Sequence, residues 1–362
     1  MNRDAKIVFL MVAVLLMVGV VMIYSSSAVY AYGRYGDSLF FVKRHLVYLA
    51  IGIAAAVCCM AVSSGKIKDK ARTIMLFSLA LLVAVLVPGI GSKAGGARRW
   101  VRFFGFGFQP SEIAKFALII YLADLTTRKR YLMHRFMRGF LPPMLVIGLT
   151  GGLILLEPDM GTSVAVCFIG FMILFVSGTR LRHLALVAGG MIPVLSLAVI
   201  CEPYRFKRLL TVFNPWGDSR GAGFQLIQSF VALGSGGFFG VGLGQSKQKL
   251  FYLPESHTDF IFSIIGEELG FVGAASVLML FAALIWFTLR IAFKIRDPFM
   301  SRVVLGIGVM IAFEVIVNIG VSTGVLPTKG LPLPFISYGG SSLVLHLAAM
   351  GMVLNMSREA DQ

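Results

Sequence analysis

Apolar runs long enough to cross a bilayer recur along this chain, near residues 7–28, 46–64, 73–91, 111–126, 140–157, 162–178, 183–201, 260–290, 303–325 and 340–356. A hydrocarbon core about 30 Å thick needs roughly 20 apolar residues per helix, and shorter runs cross when protein shields them. The expectation is an all-α polytopic membrane protein with about ten transmembrane helices, formed by residues 1–362 as a single integral membrane domain. Composition agrees, since 57% of the residues are hydrophobic and only 14% charged, a balance foreign to soluble domains. The fourth run is short and carries Glu112 and Lys115, while the eighth is long enough to hold a shallow lead-in segment before its span. The first run is followed by "SSSAVYA", which offers small residues of the kind a signal peptidase accepts. It exceeds the roughly 7–15 apolar residues of a signal core, and further spans follow, so it reads as a span.

Lys and Arg in short loops set orientation. An even number of spans puts both termini on one side, together with "KIKDKAR" (66–72), "RKRYLMHRFMR" (128–138), "TRLR" (179–182) and "KIRD" (294–297). That side reads as cytoplasmic. Residues 202–258 then form one large extracytoplasmic loop, with Asp259 at its end. The formal charge of +16 is mostly this inside bias, which anionic lipid headgroups suffice to explain without a nucleic-acid partner. Cys58, Cys59, Cys167 and Cys201 show no CxxC spacing, so neither a disulfide frame nor a zinc site is indicated. Neither GxxxxGK[ST] nor GxGxxG occurs, which argues against an ATP-driven pump or a dinucleotide enzyme.

Two segments have room for a site. The loop 202–258 holds an amphipathic piece "YRFKRLLTVF", a turn "NPWGDSRGAG", a helical pattern "FQLIQSFVALG" and a glycine-dense stretch "GSGGFFGVGLGQSKQK". Dense glycine permits close backbone approach and anion-binding nests, or simply a flexible hairpin. The Pro/Gly-rich "LPTKGLPLPFISYGGSS" (326–342) reads as irregular backbone lining a cavity, since only there is such a path tolerated near membrane depth.

Ionisable residues beside membrane spans are costly and hence candidates for function. Glu112, Lys115, Glu157, Asp159, Asp259, Glu267 and Glu268 gather on the expected outer side, with Arg98, Arg99, Arg205, Arg208, Lys247, Lys249 and Lys329 in loops. Glu314 and Asn318, in the ninth run, are exceptions. In "QPSEIAKFAL" Glu112 and Lys115 stand three residues apart at a helix start, either as a structural ion pair or with Lys115 facing an anionic ligand. Asp159 in "EPDMGT" is a helix cap or a site group, and Glu267 and Glu268 are packing carboxyls or catalysts. Asp259 combines a boundary position, a glycine-rich approach and neighbouring cations. Burial would raise its pKa and the cations would lower it. His257 and His346 have no metal-ligand partners at suitable spacing and read as core or surface residues.

The motifs "QPSEIAKFALIIYLADL", "NPWGDSRGAGFQLIQS", "GVGLGQSKQKLFYLPE", "PESHTDFIFSIIGEELG" and "PTKGLPLPFISYGGSS", in this order, resemble the SEDS family (shape, elongation, division and sporulation) of FtsW, RodA and SpoVE proteins. The resemblance spans about residues 10–357, and the last motif is closest to the division member. It implies a peptidoglycan glycosyltransferase that polymerises lipid II at the outer face of the bacterial cytoplasmic (inner) membrane, at the division septum. It also implies a class B penicillin-binding protein and other division proteins as partners. Asp259 corresponds to the family's essential acid, and Lys115, Glu112, Asp159 and Arg99 match motif positions around a central cavity.

The expected chemistry has Asp259 take the proton from the acceptor sugar's 4-hydroxyl as that oxygen attacks the donor's anomeric carbon. Lys115, Arg99, Arg208, Lys249 and Lys329 would offset charge on the departing undecaprenyl diphosphate, with Thr258 and Ser337 completing the substrate-binding set. No cofactor is required; a divalent cation is a further source of positive charge. Two rival readings are a lipid II flippase or other transporter and a non-catalytic scaffold. A transporter needs coupling groups near the bilayer midplane, whereas these acids and bases cluster outward.

Overall fold

The computed structural model describes residues 2–89, 91–94, 97–103, 106–250, 252–328 and 330–360. Helices α1 (Arg3–Tyr35), α2 (Phe40–Ala61), the short α3 (Ser64–Asp69) and α4 (Ala71–Leu86) lead into a small sheet. Its strands β1 (Gly91–Ala94), β2 (Ala97–Phe103) and β3 (Phe106–Phe108) are antiparallel, with Val101 opposite both Gly91 and Phe108. Then come α5 (Pro110–Arg128), α6 (Leu141–Leu156), α7 (Met160–Val176), α8 (Leu181–Ile200), α9 (Pro203–Phe213) and α10 (Phe224–Ser235). Helices α11 (Ile261–Lys294), α12 (Pro298–Ser322) and α13 (Gly340–Glu359) complete the chain.

Each apolar run anticipated above falls on a helix. Among the described residues, six helices are long and apolar enough to cross a membrane: α1, α2, α6 with its preceding π turn (Phe136–Leu156), α11, α12 and α13. The runs at 73–91, 111–126, 162–178 and 183–201 coincide with α4, α5, α7 and α8, which are shorter, more charged or, in α8, interrupted by Pro193. The sheet was not anticipated; Trp100, Val101 and Phe103 are residue types that suit a pleated surface. Within 202–258, the amphipathic piece is α9, the turn is a 3-10 segment Pro215–Asp218, and the helical pattern is α10. The cysteines are all free.

The centre of the bundle is α5, α12 and α13. Helix α5 contacts α4, α7 and α12; α13 lies along α2; α11 runs between α1 and α12. Pro110 opens α5, where its missing N–H costs nothing, and Asp297 caps α12 by accepting from Met300 N.

Helix α11 is broken at Gly270, whose φ of 68° and ψ of −167° only glycine adopts readily. The break frees backbone groups, and the glycine-dense stretch pairs with four of them. Val241 N and Gly242 N donate to Glu267 O and Glu268 O, while Phe271 N and Val272 N donate to Gly237 O and Phe238 O. The fit leaves no room for side chains: a Cβ on Gly270 would sit 2.3 Å from Gly240 N. The expected lead-in segment of the eighth run is thus the part of α11 before Gly270.

Candidate functional site

A cavity of about 1070 Å³ opens among β2, the N-terminus of α5, the turn before α7, α9 and the segments 255–260, 327–328, 330–332 and 338–342. Its wall carries the acids Glu112, Asp159, Glu202, Glu255 and Asp259 and the cations Arg99, Arg205 and Arg208. Two loops distant in sequence meet there. Tyr338 N donates to His257 O, Ser337 Oγ donates to Thr258 O at 2.6 Å, and Asn318 Nδ2 donates to both Asp259 O (3.0 Å) and Leu331 O (2.9 Å). These bonds fix the backbone of Asp259 against α12 and the Pro/Gly-rich loop. Glu255 and Phe335, with φ of 57° and 65°, hold left-handed conformations on either side of the junction, a strain of about 1–3 kcal/mol each that packing must sustain. Gly330 leaves space for the acid, since a Cβ there would lie 2.8 Å from Asp259 Oδ2.

Burial pushes the Asp259 carboxyl up to about 7; Glu255 adds to the rise, Arg99 and Arg208 oppose it, and Asp159 adds a smaller push. Desolvation therefore outweighs the cations. Glu157 is likewise pushed up to about 8, by burial and then by Asp159. It is fully buried, and neither of its oxygens has a hydrogen-bond partner among the described residues.

Of the anticipated site residues, Arg99, Glu112, Asp159, Arg208, Thr258 and Asp259 line this cavity together. Asp159 also caps α7, accepting from Thr162 N at 3.1 Å, and it holds Gln109 at 3.1 Å and Arg99 at 3.5 Å. Arg208 donates to Thr328 O at 2.8 Å. Ser337 lies behind the wall and bonds to the Thr258 backbone.

Two lysines stand elsewhere. Lys115 is buried between Glu112, at 2.8 Å, and Glu314, so the structural ion pair anticipated at "QPSEIAKFAL" is present. Lys249 is buried against Glu268 (2.8 Å) and Ser25 (3.1 Å), beside a separate cavity of about 470 Å³. The reason is local: Glu268 sits where α11 breaks, and Lys249 and Ser25 satisfy it. Glu267 accepts from Ser246 Oγ and Lys247 N, so both carboxylates serve packing. Lys329 lies outside the described residues.

Sequence reasoning did not assign roles to Glu255, Arg205 or Asn318. Asn318 carried a signal, as a lone amide in an apolar span, but its partners, Asp259 O and Leu331 O, come from two other segments of chain. His257 packs its ring against Phe41 (4.6 Å) and Tyr338 (5.9 Å), in keeping with a core role. No group of three His, Cys, Asp or Glu side chains able to hold a metal occurs among the described residues.

The architecture and the ionic cavity define a multi-pass membrane protein with a charged chamber set among its helices. This chain matches the family model of FtsW, RodA and SpoVE, described as a cell cycle protein, over residues 5–362, and it belongs to that family. A probable peptidoglycan glycosyltransferase FtsW of Trichlorobacter lovleyi is 45% identical over 353 residues, covering 97% of this chain and 92% of that one. Stage V sporulation protein E of Bacillus subtilis is 44% identical over 346 residues, covering 95% and 94%. A chain of a solved peptidoglycan synthase complex, described as coordinating polymerization and crosslinking, matches with a TM-score of 0.81 at 32% identity, covering 98% of both chains. The rod shape determining protein RodA of Thermus thermophilus matches at 0.73 and 29%, covering 98% and 97%.

Proposed function

We propose that this protein is a peptidoglycan glycosyltransferase that polymerises lipid II into β-1,4-linked glycan at the outer face of the cytoplasmic membrane during cell division. The observation that carries the reading is Asp259: a partly buried carboxyl with its pKa raised to about 7, on the wall of a cavity that also presents three arginines. A general base works best when its pKa lies near the working pH.

In the proposed step, the acceptor's 4-oxygen forms a bond to the donor's anomeric carbon while the bond from that carbon to the diphosphate breaks. The hydroxyl proton passes to Asp259, and the electron pair of the broken bond leaves with undecaprenyl diphosphate. One displacement inverts an α-linked donor to a β product. Arg99, Arg205 and Arg208 stand where they can offset the charge growing on the diphosphate, in general the larger electrostatic contribution. The donor set offers no built metal centre among the described residues; a divalent cation carried in on the diphosphate would add to the arginines. Glu112, Asp159 and Thr258 are placed to contact the sugars, and Ser337 acts through the Thr258 backbone.

The same reading takes the chain as one integral domain of ten spans with both termini cytoplasmic, residues 202–258 outside, and a place at the septum. The basic loops support that orientation. A class B penicillin-binding protein is the proposed partner, in line with the solved relative that belongs to a synthase complex.

The test compares wild type and Asp259→Asn in lipid, with the cognate penicillin-binding protein whose transpeptidase is blocked, for conversion of lipid II to polymer. Loss of base assistance should lower the rate by about 10²–10⁴ in a variant that still folds and binds its partner. Equal polymer from both would remove Asp259 as the base. No polymer from either would return weight to transport.

A further inference from the structure

Four ionisable side chains meet inside the bundle beside the cavity: Glu112 and Lys115 of α5, Glu314 of α12 and His346 of α13, each no more than 5% exposed. Glu314 divides its carboxylate between two partners. One oxygen takes the Lys115 ammonium, and the other lies 2.6 Å from Nε2 of His346. On the far side of the ring, Nδ1 of His346 lies 2.7 Å from the backbone oxygen of Ser342.

A carbonyl oxygen has no proton to give, so Nδ1 is the donor in that bond. The contact between Nε2 and Glu314 then holds one further proton, whichever atom carries it, and its length suits a charge-assisted hydrogen bond. The Glu314 and His346 pair is therefore neutral as a unit, and Lys115 balances Glu112. Buried charges left without such balance are strongly disfavoured.

Only part of this cluster reaches the cavity. Glu112 and Ser342 line it, while Lys115, Glu314 and His346 do not. We propose that Glu314 and His346 are a positioning pair for the cavity wall: His346 neutralises Glu314, which leaves the Lys115 ammonium to Glu112. Without the imidazole, Glu314 draws Lys115 fully to itself, and Glu112 presents an uncompensated negative charge to an anionic ligand. The functional part of this inference rests on the cavity being the site of a lipid-linked diphosphate. The charge balance itself does not.

The experiment uses His346→Gln, Glu314→Gln and the double variant, each in lipid with the penicillin-binding protein, and reads KM and kcat with lipid II and thermal unfolding. His346→Gln should raise KM about tenfold with kcat changed by less than about twofold, the split expected when binding rather than chemistry is impaired. It should also lower Tm. Glu314→Gln should be the milder change, because the imidazole can then shed its proton. The double variant should return KM and Tm towards wild type, since removing acid and base together restores neutrality, and a double-mutant cycle isolates that coupling.

A His346→Gln protein equal to wild type, or a double variant no better than His346→Gln, would overturn the proposal and leave a packing role. If His346→Gln fails to fold, folding of the double variant supports the balance and its failure refutes it. Absence of polymer from wild type would instead strike the glycosyltransferase reading, and the unfolding cycle would still decide the charge balance.

Discussion

The backbone at Asp259 is held by hydrogen bonds from other segments of the chain. Asn318, Ser337 and Tyr338 together fix residues 257–259, and the missing side chain of Gly330 makes room for the carboxyl on the cavity wall. A pKa of about 7 against the ordinary 3.8 makes the folded protein hold that proton more tightly than the unfolded chain does. Two outcomes follow with defined sign. As a base the group must be ionised, so kcat/KM of the wild type should fall about tenfold per pH unit below roughly pH 7. In stability the sign reverses: a raised carboxyl pKa contributes a destabilisation that is absent below about pH 4, grows as pH rises, and is complete above about pH 7. Asp259→Asn should therefore unfold at a higher temperature than wild type near pH 8, with the gap closing towards pH 4. Asn318→Ala should strand the carbonyls of Asp259 and Leu331, each unpaired group costing about 1–3 kcal/mol. Lowered kcat together with a lowered Tm would be the expected readout; unchanged activity would show that the loop holds without it.

Helix α11 shows how a sequence builds a break where one would be expensive. Gly270 kinks the helix, and four hydrogen bonds to residues 237–242 replace those the helix loses. The break places Glu267 and Glu268 against Ser246, Lys247, Lys249 and Ser25, so the carboxylates that follow Asp259 in sequence anchor the glycine-dense stretch. Gly270→Ala would meet both a forbidden dihedral, worth about 1–3 kcal/mol, and the backbone of Gly240. A marked loss of thermal stability in detergent is expected, larger than for alanine at Gly189 of α8, where a Cβ meets nothing within 4 Å. Equal effects at both positions would mean that the break can be straightened.

At the scale of the whole molecule, charge placement decides orientation. The basic segments at 66–72, 128–138, 179–182 and 294–297 fall between helices at one set of chain turns, while 202–258 falls in the other. In a background freed of the four native cysteines, Ser219→Cys should react with a membrane-impermeant reagent applied to intact spheroplasts. Lys129→Cys should react only after lysis. The reverse pattern would invert the proposed topology and put Asp259 on the cytoplasmic side.

Most of the helices were legible because lipid imposes a length and an apolar composition that a single sequence displays directly. The motifs around Asp259, Glu112 and Asp159 were legible too, since acids beside apolar runs are costly enough to stand out. What the sequence could not show was which charges meet. Lys249 read as a cation for a substrate, and Lys115 as either such a cation or the ion-pair partner of Glu112; Lys249 is held by Glu268, and Lys115 by Glu314 as well as Glu112, because those carboxylates of α11 and α12 approach only once the bundle packs. The balance of burial against arginine at Asp259 was open for the same reason. By itself the sequence determined a membrane bundle and the chemical types at its site; only the tertiary structure decided their pairing, since electrostatic energy depends on distances and desolvation that exist in the folded state alone.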